Sequence, residues 1–247
     1  MNIKTFDNFN ELYQAFEQVL NNHTKNQDAN IAIAGGSLNT IIKQLAISDK
    51  LVLANTVFWQ VDERFVKRDS EFSNYKGFLE AMGSNKPFKY EYFDTEMMNY
   101  ETENLNKSSA IEATLKDYVG RLEGWKVGGL EGGKVDNVEG WKAGFELCVL
   151  GVGPDGHVAS LFPNSSVLDE KIKLVAHTQT DVFDVKDRLT LTFPPILASK
   201  EIVIIIQGKS KKEVFEKISK NELDFHDFPV NKLHEHSNVN LFFGDWE

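Results

Sequence analysis

The 247-residue sequence predicts an α/β fold, a doubly wound, mainly parallel sheet with helices on both faces. Three observations carry this expectation. Apolar runs of strand length alternate with segments whose apolar residues recur at helical spacing. Two of the runs, 145–152 and 203–206, are apolar with almost no alternation, as strands covered on both faces of a parallel sheet are. Four runs stop at turns rich in glycine or charge, and the carboxyl ends of strands are where open α/β sheets bind ligands.

Taken in order, Asn8 followed by Glu11 reads as a capping box, and Phe9, Leu12, Phe16, Val19 and Leu20 repeat at helical spacing. Residues 30–34 form a short strand that stops at Gly35-Gly36-Ser37, and Ile41, Ile42, Leu45 and Ala46 mark the helix that follows. Backbone amides at such a helix start point at any anion placed there. Residues 57–61 form a strand ending in Asp62-Glu63-Arg64. Ser73-Asn74 precedes a helix over 75–82 that Gly83 closes. Residues 89–93 alternate charged and aromatic side chains, as a half-exposed strand does.

Ser109 with Glu112 reads as a second capping box, for a helix carrying Ile111, Leu115, Tyr118, Val119 and Leu122. From 121 to 144 the chain is glycine-rich and repeats Glu123-Gly124-Trp125-Lys126 as Glu139-Gly140-Trp141-Lys142, which reads as an inserted surface loop. Further on, 171–176 read as strand, 187–190 as an ordered stretch, and Pro194-Pro195 as the start of a helical turn. Residues 203–206 read as a central strand, 209–219 as a helix burying Val214, Phe215 and Ile218, and 239–243 as an edge strand after a helical turn near Leu233. Only the insertion breaks the composition, so residues 1–247 are expected to form one domain.

Charge narrows the function classes. With 27 basic and 37 acidic residues the net charge is −10, which argues against nucleic-acid or anionic-membrane partners. An anionic substrate then needs a local basic pocket. The one cysteine, Cys148, lies inside an apolar strand, so neither an internal disulfide nor a cysteine zinc cluster is available. The first residues resemble neither a signal peptide nor a membrane span, and a cytoplasmic location is expected.

Two motif matches fail on inspection. Gly151-Val152-Gly153-Pro154-Asp155-Gly156 spells G-x-G-x-x-G, but Asp169 and Glu170 precede the next strand instead of ending it, and Asp155 would meet a pyrophosphate with like charge. Gly208-Lys209-Ser210 resembles the end of a P-loop, yet Val203 stands where its first glycine is required.

The set is more informative than its members. Gly35-Gly36-Ser37, Asp62-Glu63-Arg64, Asp155-Gly156-His157 and Gly208-Lys209-Ser210-Lys211 all follow predicted strands, so a parallel sheet would gather them on one rim. Together with the run RLTLTFP from Arg188 and the segment GVGPDGHVASLFP, these residues resemble the 6-phosphogluconolactonase family over nearly the whole chain. The resemblance implies a Rossmann-like sheet, no metal or cofactor, and hydrolysis of 6-phosphogluconolactone to 6-phosphogluconate in the pentose phosphate pathway. A related branch, the glucosamine-6-phosphate deaminases, has a similar D-G-H loop but a glutamate five residues after the histidine. Phe162 occupies that position and cannot transfer a proton. The first loop departs from the family's usual GGS-Thr-Pro by reading Leu38-Asn39.

On this reading His157 is the expected general base and Asp155 its orienting or counter-charging partner. Gly35, Gly36, Ser37 and Gly156 are expected to contact substrate through backbone and hydroxyl groups. Arg64, Arg188 and Lys211 are expected to hold the phosphate, with Asp62 and Glu63 anchoring Arg64 or binding sugar hydroxyls. A deaminase or isomerase on the same fold, or a non-catalytic sugar-phosphate module, is the alternative. The expected partner is a small sugar phosphate, and the assembly a monomer or small homo-oligomer.

Overall fold

The computed structural model describes residues 1–25, 28–83, 87–96, 106–127 and 144–246. Along the chain run β1 (Asn2–Phe6), α1 (Phe9–Thr24), β2 (Ala29–Ile33), α2 (Asn39–Ile47), β3 (Thr56–Gln60), β4 (Asp62–Arg64), α3 (Asn74–Met82) and β5 (Lys89–Glu91). Then come α4 (Lys107–Val127), β6 (Leu147–Leu150), β7 (Val175–Gln179), β8 (Asp187–Leu191), α5 (Phe193–Leu197), β9 (Ile202–Gln207), α6 (Lys212–Lys220) and β10 (Val239–Gly244). Short 3-10 turns, Gly36–Leu38 and Lys209–Lys211, lead into α2 and α6.

Seven parallel strands form the main sheet in the order β1-β10-β9-β6-β2-β3-β5. From β2 the chain winds outward through β3 and β5, and from β6 it winds the other way through β9 and β10, outside which the N-terminal β1 pairs. The switch point therefore lies between β2 and β6, where crevices open at the carboxyl ends of strands. Neighbouring residues of β3 show helices on both faces: Phe58 packs on Phe78 of α3, whereas Trp59 packs on Tyr118 of α4. The residues of β2 and β6 are all buried, and the one polar side chain among them, Asn30, accepts from the Trp59 indole N–H at 2.9 Å.

A second sheet of three antiparallel strands, β4-β8-β7, stands at the rim. The sequence reading does not separate it from the main sheet, because an apolar strand carries no mark of which sheet it joins. Residues 171–176 also differ from expectation. The Glu170 carboxylate accepts from the amides of Lys171, Ile172 and Lys173, bending that stretch into a turn, and the strand begins only at Val175.

Other expectations shift as well. The strand near 239–243 is not at the edge: β1 pairs outside β10 through Asn2 to Phe6, four of whose five residues are exposed and give no apolar signal. The α4 cap is Asn106, whose side-chain oxygen accepts from the Ser109 amide, one turn ahead of the predicted Ser109 box. Helix α4 continues through Val127, so the first tryptophan of the glycine-rich repeat is helical, and Trp125 stacks on Phe145 at 5.7 Å. The remainder of the predicted insertion, 128–143, lies outside the described residues.

One buried carboxylate joins the two sheets. Glu63, 1% exposed, accepts from the Gln60 side-chain amide (2.9 Å), the Arg64 amide (2.7 Å), the Ser73 hydroxyl (3.1 Å) and the amides of Asn74 (2.7 Å) and Tyr75 (2.8 Å). Two of these amides are at the start of α3, where a negative charge is stabilised. Replacing Glu63 with Ala leaves buried donors unpaired and is expected to lower the unfolding free energy by about 3 kcal/mol or more. Denaturant titration checks this; a loss below about 1 kcal/mol would remove Glu63 from this structural role.

Candidate active site

Alternation along β4 sorts its three charged residues. Antiparallel pairing with β8 sets Asp62 opposite Thr190 and Arg64 opposite Arg188 on one face, which leaves Glu63 on the other with Leu189. Asp62 and Arg64 line a cleft of about 190 Å3, together with Gly35, Gly36, Ser37, Asn74, Gly151, Val152, Gly153, His157, Ala159 and Lys211. This gathers residues from the carboxyl ends of β2, β3, β6 and β9, as the rim argument requires. Glu63 is absent from the lining; its five donors turn it into a brace for β4 and α3 instead of the sugar ligand considered from sequence.

The loop after β6 shapes one end of the cleft. His157 Nδ1 lies 2.5 Å from Asp155 Oδ1. Burial of Asp155 opposes its ionisation, but the hydrogen bond and charge of His157 outweigh it and bring its pKa below the ordinary value. With Asp155 ionised, Nδ1–H is the donor and the lone pair rests on Nε2. Gly153 makes the pairing possible: a Cβ there would lie 2.1 Å from the His157 ring. Gly151 allows the β2 and β6 loops to meet across the switch point, since a Cβ would lie 2.9 Å from Ser37 Oγ. Gly156 departs from its expected role in substrate contact. It is buried, its φ is +79°, and its carbonyl accepts from Val230 N at 2.9 Å, beneath the Phe228 ring.

The imidazole is boxed by aromatic rings. Phe162 lies 4.9 Å from it and Phe183 5.5 Å, centroid to centroid. The position that distinguishes the two predicted chemistries is thus in contact with the histidine, and it offers an apolar ring.

Arg64 and Lys211 bring positive charge into the cleft, whereas Arg188 is not among the residues that line it. Arg64 and Arg188 face each other as register partners, an arrangement that repels unless an anion lies nearby. Arg64 Nη1 donates to the Phe72 carbonyl at 2.6 Å, while its Nε is buried without a hydrogen-bond partner among the described residues. Arg188, 6% exposed, donates Nε to the Val185 carbonyl at 2.9 Å. Burial, and then the charge of Arg64, lower its pKa, with Asp62 and Glu63 opposing. Lys211 enters the cleft and donates to the Val152 carbonyl at 3.1 Å, whereas Lys209 and Lys212 are exposed. Burial lowers the Lys211 pKa, with the charge of Asp155 opposing.

Sequence reasoning missed several supports. Asn74 lines the cleft and donates to the Asp62 carbonyl at 3.0 Å, although the sequence reading gives it no role in the site. Ser160 donates its hydroxyl to Asp62 Oδ2 at 2.7 Å. Ala159 reaches φ +53°, a left-handed conformation unusual outside glycine, in the turn between His157 and Ser160. Its place one residue from the serine that fixes Asp62 is invisible to periodicity.

Comparison with known proteins places the chain in a family. The profile of the family described as glucosamine-6-phosphate isomerases/6-phosphogluconolactonase matches residues 7–242. A probable 6-phosphogluconolactonase of Dictyostelium discoideum is 29% identical over 219 residues, covering 87% of this chain and 84% of the relative. The structure of 6-phosphogluconolactonase from Trypanosoma brucei superposes with a TM-score of 0.80 at 23% identity, over 99% of this chain and 95% of that one. A monomeric glucosamine-6-phosphate deaminase shares the fold, with a TM-score of 0.77 at 20% identity over 99% of this chain and 97% of that one. By its sequence match over nearly its full length, the chain belongs to the glucosamine-6-phosphate isomerase/6-phosphogluconolactonase family.

Proposed function

We propose that this protein is a 6-phosphogluconolactonase, hydrolysing 6-phospho-D-glucono-1,5-lactone to 6-phosphogluconate. One observation carries the choice within the family: the imidazole of His157 has an ionised Asp155 on Nδ1 and the apolar ring of Phe162 against it, where ring-opening deamination calls for a second proton-transfer group. The similarity to relatives named as lactonases supports the same reading.

A lactone is an ester, and its hydrolysis needs an activated water, a stabilised oxyanion and a hold on the substrate. Nε2 of His157 accepts a proton from water as the water oxygen adds to the lactone carbonyl carbon. Collapse of the tetrahedral adduct breaks the bond to the ring oxygen. That oxygen takes the proton from the imidazolium, and the product acid releases a proton to solvent at neutral pH. Asp155 holds the productive tautomer and balances the transient imidazolium. The amides of Gly36 and Ser37, at the turn entering α2, are donors for the oxyanion or an anionic group. Arg64, Arg188 and Lys211 hold the phosphate, and the orphaned Nε of Arg64 is satisfied by a phosphate oxygen.

Asp62, fixed by Ser160, and Asn74 are left to receive sugar hydroxyls. The whole chain is read as one enzyme domain, working in the cytoplasm as a monomer or small homo-oligomer without nucleic-acid or membrane partners. The single cysteine is buried, and no described helix is long and apolar enough to cross a membrane.

His157→Ala is expected to lower kcat about a hundredfold or more while the Kd for 6-phosphogluconate changes by less than about threefold. Lactone turnover followed by proton release, with calorimetry for the product, reads both. Unchanged kcat would refute the general-base assignment. Arg188→Ala is expected to raise KM roughly tenfold to a hundredfold with a smaller change in kcat, the pattern of a lost charge-assisted hold on the phosphate. An unaltered KM would take Arg188 out of the phosphate site.

A further inference from the structure

The β7–β8 hairpin contributes one residue that neither the sequence motifs nor the mechanism uses. Phe183 is at the tip of the connection between Val175–Gln179 and Asp187–Leu191, half-buried next to the highly exposed Val182. An aromatic ring at a polar hairpin tip, in the run Asp181-Val182-Phe183-Asp184, has no core to fill. It packs instead on the two parts of the site. On one side its ring is nearly perpendicular to the His157 imidazole, at 5.5 Å and 76°, and it touches Phe162 at 6.0 Å. On the other side the Arg188 guanidinium carbon lies over the ring, 5.7 Å from its centroid.

The hairpin is braced in this position. Thr180 N donates to the Lys186 carbonyl at 3.1 Å, and Arg188 Nε donates to the Val185 carbonyl at 2.9 Å, so the arginine itself closes the loop that carries the ring. At the base, Asp187 receives His177 (2.8 Å) and the Gln179 amide (2.9 Å) and pairs with Lys107 at the start of α4. A loop tied at both ends presents its tip side chain in one place, which is what a positioning role needs.

From this geometry we infer that Phe183 is a positioning residue with two separable effects: its bulk confines the His157 imidazole against Phe162, and its π face holds the Arg188 guanidinium toward the phosphate end of the cleft. The inference rests on the lactonase reading for its kinetic consequence, but the Arg188 contact does not depend on which reaction is catalysed. Bulk is supplied by any large apolar side chain, whereas cation–π attraction needs an aromatic face. The two effects therefore part company in a leucine variant.

The experiment compares Phe183→Leu, Phe183→Ala and Phe183→Tyr with the wild-type chain in steady-state lactone hydrolysis, and measures binding of inorganic phosphate and 6-phosphogluconate by calorimetry. Phe183→Leu is expected to keep kcat within about twofold while KM and both binding constants weaken about fivefold. Phe183→Ala adds a fall in kcat of about tenfold, because the imidazole loses its wall. Phe183→Tyr restores both. Equal changes in kcat and KM in the leucine variant, or wild-type values throughout, would overturn the inference. Should the alanine variant fail to fold, the leucine and tyrosine pair still decides it. A wild-type chain without lactone hydrolysis would defeat the proposed function, and the phosphate-binding series would then test the Arg188 contact on its own.

Discussion

Five donors converge on the carboxylate of Glu63, and the site is arranged around that convergence. The chain leaves the main sheet at Gln60 and enters the small sheet at Asp62, so it needs a fixed hand-off between two layers. Glu63 supplies it by binding the side chain at the end of β3, the amide of Arg64 and the first amides of α3. Gln60 extends the network, its side-chain oxygen accepting from Phe93 N and its carbonyl from the Tyr118 hydroxyl. With Glu63 turned inward, the twofold period of a strand requires Asp62 and Arg64 to face the cleft. Burial raises the Glu63 pKa against the lowering effect of these hydrogen bonds, so desolvation of the carboxylate is the cost of this brace.

The opposite wall depends on close backbone approach. Gly151 and Gly153 let the β6 loop lie against Ser37 and under the imidazole, and the segment around Phe228 seals the loop from below. The result is a polar, positively charged cleft in a protein whose net charge is −10. Paired arginines on neighbouring strands are tolerable because Asp62 and Glu63 offset part of their repulsion.

Much of this was legible in the sequence because it follows from local signals. The four strand ends that form the rim each carry an apolar run followed by glycine or charge, and all four lie where the parallel topology requires. What was not legible depends on long-range pairing. Exposed β1 carries no burial pattern, so β10 read as an edge. Glu63 and Asp62 are adjacent in sequence and equally acidic, and only the pairing of β4 with β8 tells the brace from the cleft residue. Asn74 and Phe183 reach the site through a helix start and a hairpin tip, whose directions in space are set by contacts many residues away. One glycine counted toward the loop is helical, since Gly124 lies within α4.

An imidazole flanked by Asp155 and Phe162 is expected to hydrolyse a phosphorylated lactone and not to deaminate a phosphorylated aminosugar. The most direct measurement follows proton release from 6-phosphogluconolactone, corrected for its spontaneous hydrolysis, beside ammonia release from glucosamine 6-phosphate with the same preparation. Fast proton release and no ammonia above background are expected. Ammonia release, or proton release no faster than the uncatalysed reaction, would contradict the lactonase reading.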